Sequence, residues 1–189
     1  MTTDKTKRVF LAIPVLMDMS ILIEKQIHAL SEEHADTMRF LNTKDYHITL
    51  HFLGDLPLAK VVDMVQWVDP VIQSHAGFAL QFEKLQCFPE SHPHCWILTV
   101  KNSPALYALQ ASIGDCLSSH QLRIDSKAYF PHVTIAKKNR ASAMPEIVLP
   151  TIQLPLLPVR RVLIYTSQLT SGTARYSPLD YFHLYCARP

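Results

Sequence analysis

Two short segments that share a His-x-Thr pattern constrain this chain most: HITLHFLG from His47 to Gly54, and HVTIAKK from His132 to Lys138. In each, apolar residues alternate with polar ones. Ile48, Leu50 and Phe52 alternate with His47, Thr49 and His51, and Val133 and Ile135 alternate with His132 and Thr134. Period two is the signature of a strand with one buried face and one polar face. Strict alternation puts each imidazole beside the hydroxyl two residues on, pointing the same way. It also puts His51 on the His47 face, as a groove-wall or surface residue rather than a catalytic one.

The surroundings of the two strands repeat as well. RVFLAIP from Arg8, a helix over Ser20 to Glu33 and the His47 strand form one unit. CWILTVK from Cys95, a helix from Pro104 to about His120 and the His132 strand form another. In the first helix Ser20 is placed to cap the N-terminus, with Ile23, Ile27 and Leu30 on the buried stripe. In the later one Ser103 caps, Pro104 takes the first helical position, and Leu106, Leu109, Ile113 and Leu117 face inward. Another helix spans Leu58 to Ile72, with Val61, Val65, Val68 and Ile72 on one stripe and Pro70 near its end. Phe78 to Phe88 reads as a strand, as do RRVLIYTSQL from Arg160 and YFHLYCA from Tyr181. The order of parts is that of a diverged duplication, each half a small α+β layer. The fold class expected is α+β: two pseudo-twofold lobes, each a mainly antiparallel sheet with helices outside and a central groove between them. The expected domain is one, residues 1–189, with the lobes intertwined.

Composition excludes several alternatives. The chain has 189 residues, 48% apolar and 18% charged, and a formal charge of +2. That is ample material for a core and too little charge for strong nonspecific nucleic-acid binding. No apolar run is long enough to span a bilayer, and the N-terminal segment has no secretory pattern, so a cytoplasmic, membrane-free protein is expected. Cys87, Cys95, Cys116 and Cys186 are scattered without a C-x-x-C pair and read as reduced thiols. Four glycines never form a phosphate-binding loop, G-x-S-x-G is absent, and no Asp/His cluster suits a metallophosphatase. His92, His94 and Cys95 sit in a proline-containing turn and read as solvated loop rather than metal ligands. His120 falls at a helix C-terminus, where the dipole favours it. His28, His34, His75 and His183 carry no such context. Phe130 could stack on a base but reads as core.

Two imidazoles brought to one groove suit phosphoryl chemistry. The neutral one takes a proton from water, and the charged one gives a proton to the leaving oxygen. The threonine hydroxyls can donate to nonbridging phosphate oxygens.

The paired H-x-T strands, the N-terminal RVFLAIP strand, FPHVTIAK, the Phe88-Pro89 pair ahead of the Trp96 strand and the RRVLIYTSQL strand resemble the two-histidine (2H) phosphoesterase superfamily. The chain is most similar to its RNA 2′,3′-cyclic phosphodiesterases, also called 2′-5′ RNA ligases, over nearly its whole length. The resemblance implies that His47 and His132 are catalytic, with His132 as the base on water and His47 as the acid on the 3′ oxygen. It implies that Thr49 and Thr134 hold the phosphate, and that no metal or nucleotide cofactor is needed. Its substrates would be RNA ends or nucleotides bearing a 2′,3′-cyclic phosphate, opened to a 2′-phosphate, with ATP-independent 2′-5′ joining as the reverse. A monomer is expected. Lys137 stands where the bacterial pattern often has Arg, and a lysine cannot make the bidentate fork to phosphate. Strict alternation turns Lys137 away from the groove unless the strand bulges near Ala136; Lys138 and Arg140 are weaker candidates for the phosphate. A binding module without turnover, or a phosphodiesterase for small cyclic nucleotides or 2′,5′-oligonucleotides, fits the same residues. Side-by-side assay of the three substrate types separates them.

Overall fold

The computed structural model describes residues 6–125, 127–170 and 173–185. Its main sheet is antiparallel throughout. The path runs β10 (Thr173–His183), β9 (Arg161–Thr170), β1 (Thr6–Pro14), β3 (His47–Pro57), β7 (His132–Lys138), β6 (Cys95–Val100) and β5 (Phe82–Phe88). A short strand, β2 (Met38–Phe40), pairs with the far end of β7, and β4 (Phe78–Leu80) pairs with β8 (Leu157–Val159) as a separate two-stranded sheet. The order is symmetric about the line between β3 and β7. On one side β3 is followed by β1 and β9; on the other β7 is followed by β6 and β5. The halves expected from the repeat are therefore joined edge to edge, and the seam is narrow, with Ile48 paired to Val133.

The helices α1 (Met17–Glu33), α2 (Leu58–Gln73) and α3 (Pro104–Ser119) cover one face. Ile23 and Ile27 of α1, Met64 and Val68 of α2, and Leu106, Leu109 and Ile113 of α3 pack into one core with Leu11, Ile48, Leu50, Val133 and Ile135 of the sheet. Burial of this continuous apolar layer is the main favourable term in folding. It also fixes the strand faces, because a slip of one residue would turn every core side chain outward.

Local expectations mostly hold, with instructive exceptions. α1 begins three residues before Ser20, with Leu16 at the N-cap position. The Asp18 carboxylate accepts the Met19 N–H at 2.8 Å and complements the helix dipole. Ser20 is fully buried and its Oγ has no partner among the described residues. Met64 rather than Val65 completes the buried stripe of α2. α3 starts as expected, with the Leu106 N–H donated to the Ser103 hydroxyl at 3.4 Å. The Phe78–Phe88 segment divides into two strands that serve different sheets. The end of YFHLYCA, Cys186 and Ala187, lies outside the described residues.

Candidate functional site

The seam places the two H-x-T motifs side by side. With Ile48 opposite Val133 and both fully buried on the helix side, the antiparallel register sets His47 across from Thr134 and Thr49 across from His132. The four polar side chains occupy the other face as a two-by-two array, with the histidines on one diagonal. Diagonal neighbours across an antiparallel pair stand about 7–8 Å apart, a span that one phosphate group can bridge.

Both imidazoles are oriented the same way. The Nδ1–H of His47 donates to the Asp45 carbonyl at 2.6 Å, and that of His132 to the Phe130 carbonyl at 2.7 Å. A carbonyl can only accept, so each neutral ring keeps its proton on Nδ1 and leaves Nε2 as a free acceptor. The local sequences achieve this differently. Before His47 a 3₁₀ turn over Thr43–Asp45 is closed by the Asn42 side chain, which accepts the Lys44 N–H at 3.1 Å. Before His132 stands Pro131, which biases Phe130 to an extended backbone.

Each motif strand carries a bulge at the same place. Leu11 pairs with His51 and Ala12 with Thr49, so Leu50 is the extra residue in β3. Trp96 pairs with Ala136 and Ile97 with Thr134, so Ile135 is the extra residue in β7. A bulge resets the alternation, and two expectations change with it. His51 does not share the His47 face. It is 5% exposed, its Nε2–H donates to the Gln110 carbonyl of α3 at 2.8 Å, and burial lowers its pKa. Gly114 makes room for it: a Cβ there would lie 3.0 Å from the ring. Phe52 turns up on the open face instead, 60% exposed and 5.7 Å from the Phe10 ring. In β7 the same shift brings Lys137 to the groove, where its charge bears on His47. Lys138 turns to hydrogen-bond the Ser142 carbonyl, and Arg140 is exposed in the turn beyond.

The walls are aromatic and unequal. His47 lies against Phe10 at 5.0 Å, Tyr176 at 5.1 Å and Tyr165 at 5.8 Å. Burial, with the charge of Lys137 and then His132 adding to it, lowers its pKa to about 4, against the opposing pull of its bond to the Asp45 carbonyl. His132 lies against Phe88 at 5.2 Å and Phe130 at 6.0 Å, and burial lowers its pKa too. Phe130 is not core: it is 43% exposed and stacks on Phe88 at 5.5 Å with the rings nearly parallel. Phe10, Phe52, Phe88, Tyr165 and Tyr176 escaped the sequence reading. Their signal was the same period two, in strands where an aromatic residue reads as core.

The array separates two recesses. One, of about 210 Å³, is lined by Thr49, Phe52, Phe88, Phe130 and His132, and by Asp125 and Lys127. The other, of about 200 Å³, is lined by Arg39, Asn42, Asp45, Lys137 and Tyr176. A larger cavity of about 540 Å³ opens past Pro14, between Arg160, Arg161, His183 and Tyr185. It lacks a paired acid and base, so size does not make it the better candidate. No group of three metal-ligating side chains comes together among the described residues. His92 and His94 are exposed, while Cys95 is buried in β6 with its thiol directed at the Phe88 carbonyl. His120 stacks on Trp67 at 3.9 Å and donates to the Cys116 carbonyl at the end of α3. Among the described residues no helix is long and apolar enough to cross a membrane.

Comparison with known proteins places this geometry. An RNA 2′,3′-cyclic phosphodiesterase of Geobacillus stearothermophilus is 27% identical over an alignment of 188 positions that covers 95% of this chain and 58% of the relative. The chain thus spans little more than half of that protein's length. An RNA 2′,3′-cyclic phosphodiesterase of Aquifex aeolicus is 23% identical over an alignment of 153 positions that covers 77% of this chain and 81% of the relative. Escherichia coli LigT, crystallised with 3′-AMP, superposes with a TM-score of 0.76 at 21% identity, covering 96% of this chain and 99% of LigT. The TT0787 protein of Thermus thermophilus superposes equally, at 0.76 and 22% identity, over 96% of this chain and all of its own. The family model of the 2′-5′ RNA ligase superfamily matches residues 21–164, from within α1 through both H-x-T strands into β9, and the chain belongs to that superfamily.

Proposed function

We propose that this protein opens RNA 2′,3′-cyclic phosphate ends by paired-histidine acid–base catalysis, leaving a 2′-phosphate. One observation carries the reading: two imidazoles on the diagonal of a four-residue array, each with Nδ1 tied to a carbonyl and Nε2 free. The names of the curated relatives, RNA 2′,3′-cyclic phosphodiesterase, support the substrate class.

The two recesses suggest the direction of opening. In a ribose 2′,3′-cyclic phosphate the base hangs from C1′, beside C2′, and the 5′ chain from C4′, beside C3′. With the phosphate over the array, base and 5′ chain point opposite ways. The aromatic recess beside His132 suits the base, since stacking on aromatic rings is how unpaired bases are held. The 3′ oxygen then lies toward His47. Water enters in line from the His132 side and gives its proton to the His132 Nε2 as its oxygen bonds to phosphorus. The P–O3′ bond breaks and the 3′ oxygen takes the Nε2 proton of His47. Thr49 and Thr134 donate to the nonbridging oxygens, and Lys137 adds positive charge. A 5′-hydroxyl in place of water would join two RNAs by a 2′-5′ bond without ATP. Free His47 is neutral at pH 7, and the phosphate anion against the ring offsets the burial and the charges that hold it so.

The test is turnover, in excess EDTA and without ATP, of three substrates side by side: cyclic-phosphate-ended RNA, a cyclic mononucleotide and a 2′,5′-linked dinucleotide. The expected result is turnover of the cyclic phosphates with a 2′-phosphate product. Binding of RNA without turnover, or a 3′-phosphate product, would overturn the reading.

A further inference from the structure

The recess on the far side of His47 serves the reaction as written only through the charge of Lys137 and the Asp45 carbonyl that holds the ring. Its walls come from three elements that the fold brings together. In the β2–β7 pairing Arg39 stands directly opposite Lys137. Asn42 and Asp45 belong to the turn that leads into β3, and Tyr176 reaches over from β10. Arg39 and Lys137 form no ion pair among the described residues, although Asp45 lines the same recess. Two cations against one carboxylate leave the recess with a net positive charge. Burial raises the pKa of Asp45, against the opposing pull of Lys44. Arg39 and Asp45 both act on the Tyr176 hydroxyl, which places the three groups around one space.

We propose that this recess is a second anion site, which takes the 5′-phosphate of the nucleotide whose cyclic phosphate lies over the histidines. The inference rests on the proposed function for its orientation. Two features argue for it. First, Lys137 is the next groove-facing residue after Thr134, so the recess begins about 7 Å along the strand from the phosphate-binding array. Second, ribose chemistry sends the 5′ chain away from the base, and the aromatic recess lies on the opposite side of the array. A guanidinium opposite an ammonium, with an amide and a phenol beside them, offers the donors that a phosphodiester's nonbridging oxygens need. The site would make the protein prefer an RNA end, or a nucleotide with a 5′-phosphate, over a bare nucleoside cyclic phosphate. The scissile phosphate alone cannot supply that preference.

Binding of two stable product-like ligands tests the site without requiring turnover. Adenosine 2′-monophosphate and adenosine 2′,5′-bisphosphate differ only in the group this recess would hold. The wild-type protein should bind the bisphosphate about tenfold or more tightly, and the preference should shrink as salt rises. Arg39→Ala should abolish most of the preference, and Arg39→Lys should keep part of it. Arg39 is exposed, so both variants should fold; a circular dichroism spectrum checks this. Equal affinity of the wild type for the two ligands, or a preference that survives Arg39→Ala, overturns the inference. Either result leaves the cyclic-phosphate assay to judge the proposed function on its own.

Discussion

The strands β3 and β7 are the same device in different surroundings. Each has His-x-Thr facing the groove, Nδ1 held by the carbonyl two residues back, and a bulge just after the threonine. The residue after the bulge turns to the core side in both, His51 in one and Ala136 in the other. One position further on, the chain re-enters the groove with Phe52 in β3 and Lys137 in β7. The walls differ more. His47 is enclosed by three rings from β1, β9 and β10, with the charge of Lys137 in reach. His132 has Phe88 and the half-exposed Phe130. The duplicated strand sets position and tautomer, and the unduplicated walls set proton affinity. That is a physical route from a symmetric scaffold to two unequal histidines, which general acid–base catalysis requires.

Removing either ring should have the largest effect. His47→Ala and His132→Ala should each lower turnover of a cyclic-phosphate end by about 10² to 10⁴, with the fold kept. The kcat/KM profile of the wild type should be a bell. One imidazole must be neutral and the other charged, and these are the free protein's groups. With His47 at about 4 and His132 below its ordinary 6.5, the maximum should lie on the acid side of neutrality. The kcat profile should sit at higher pH, because bound phosphate favours the charged rings. Each single variant should lose one limb of the bell in its residual activity. Turnover intact in either variant would end the two-histidine mechanism for this chain.

The same asymmetry reaches stability. His47 is held neutral in the fold, with its pKa at about 4 against 6.5 when unfolded. Above pH 6.5 neither state is protonated there, and nothing is lost. As pH falls from about 6.5 toward 4, the unfolded chain takes up a proton that the folded one refuses, so stability falls. The shift corresponds to about 3 kcal/mol by pH 4, with His132 and His51 contributing in the same direction. Urea midpoints at pH 7 and pH 4.5 measure it. His47→Gln should flatten the dependence more than His132→Gln. An equal effect of the two would mean that the walls do not distinguish the rings.

Sequence made the skeleton of this legible because period two and the repeated strand–helix–strand order are carried by many residues at once. Ile48, Leu50, Val133 and Ile135 were readable as core, and His47, Thr49, His132 and Thr134 as one face. What strict alternation cannot carry is a bulge, since one extra residue inverts every side chain beyond it. His51, Phe52, Phe130 and Lys137 all lie next to such irregularities or next to a proline; sequence alone puts the first three on the wrong side and leaves Lys137 conditional. The aromatic walls were hidden for another reason. Phe10, Tyr165 and Tyr176 come from strands distant in sequence, and only the sheet order brings them to His47. Gly114 marks the bulge from the opposite side of the core. Gly114→Ala would press on the His51 ring and should cost about 1–3 kcal/mol in unfolding free energy, with no counterpart cost beneath Ala136.

The threonines offer the smallest effect and the finest comparison. Each sits directly across from the histidine of the other strand, so Thr134 is paired with His47 and Thr49 with His132. Each hydroxyl donates one neutral hydrogen bond to the phosphate in the proposed mechanism. Removing one such donor should lower kcat/KM by roughly tenfold, while acid and base remain in place. The loss should differ in character between the two. Thr134 shares the crowded, electropositive side with His47 and Lys137, where other groups also hold the phosphate. Thr49 faces the aromatic recess, where Phe52, Phe88 and Phe130 provide no donor and Lys127 is the one cation in the lining. Thr49→Ala should therefore be the costlier of the two, and Thr→Ser at either position should restore most of the rate. Kinetics of the four variants on one cyclic-phosphate substrate decide it. A larger loss from Thr134→Ala would mean that the positive side, rather than the aromatic side, holds the phosphate least securely.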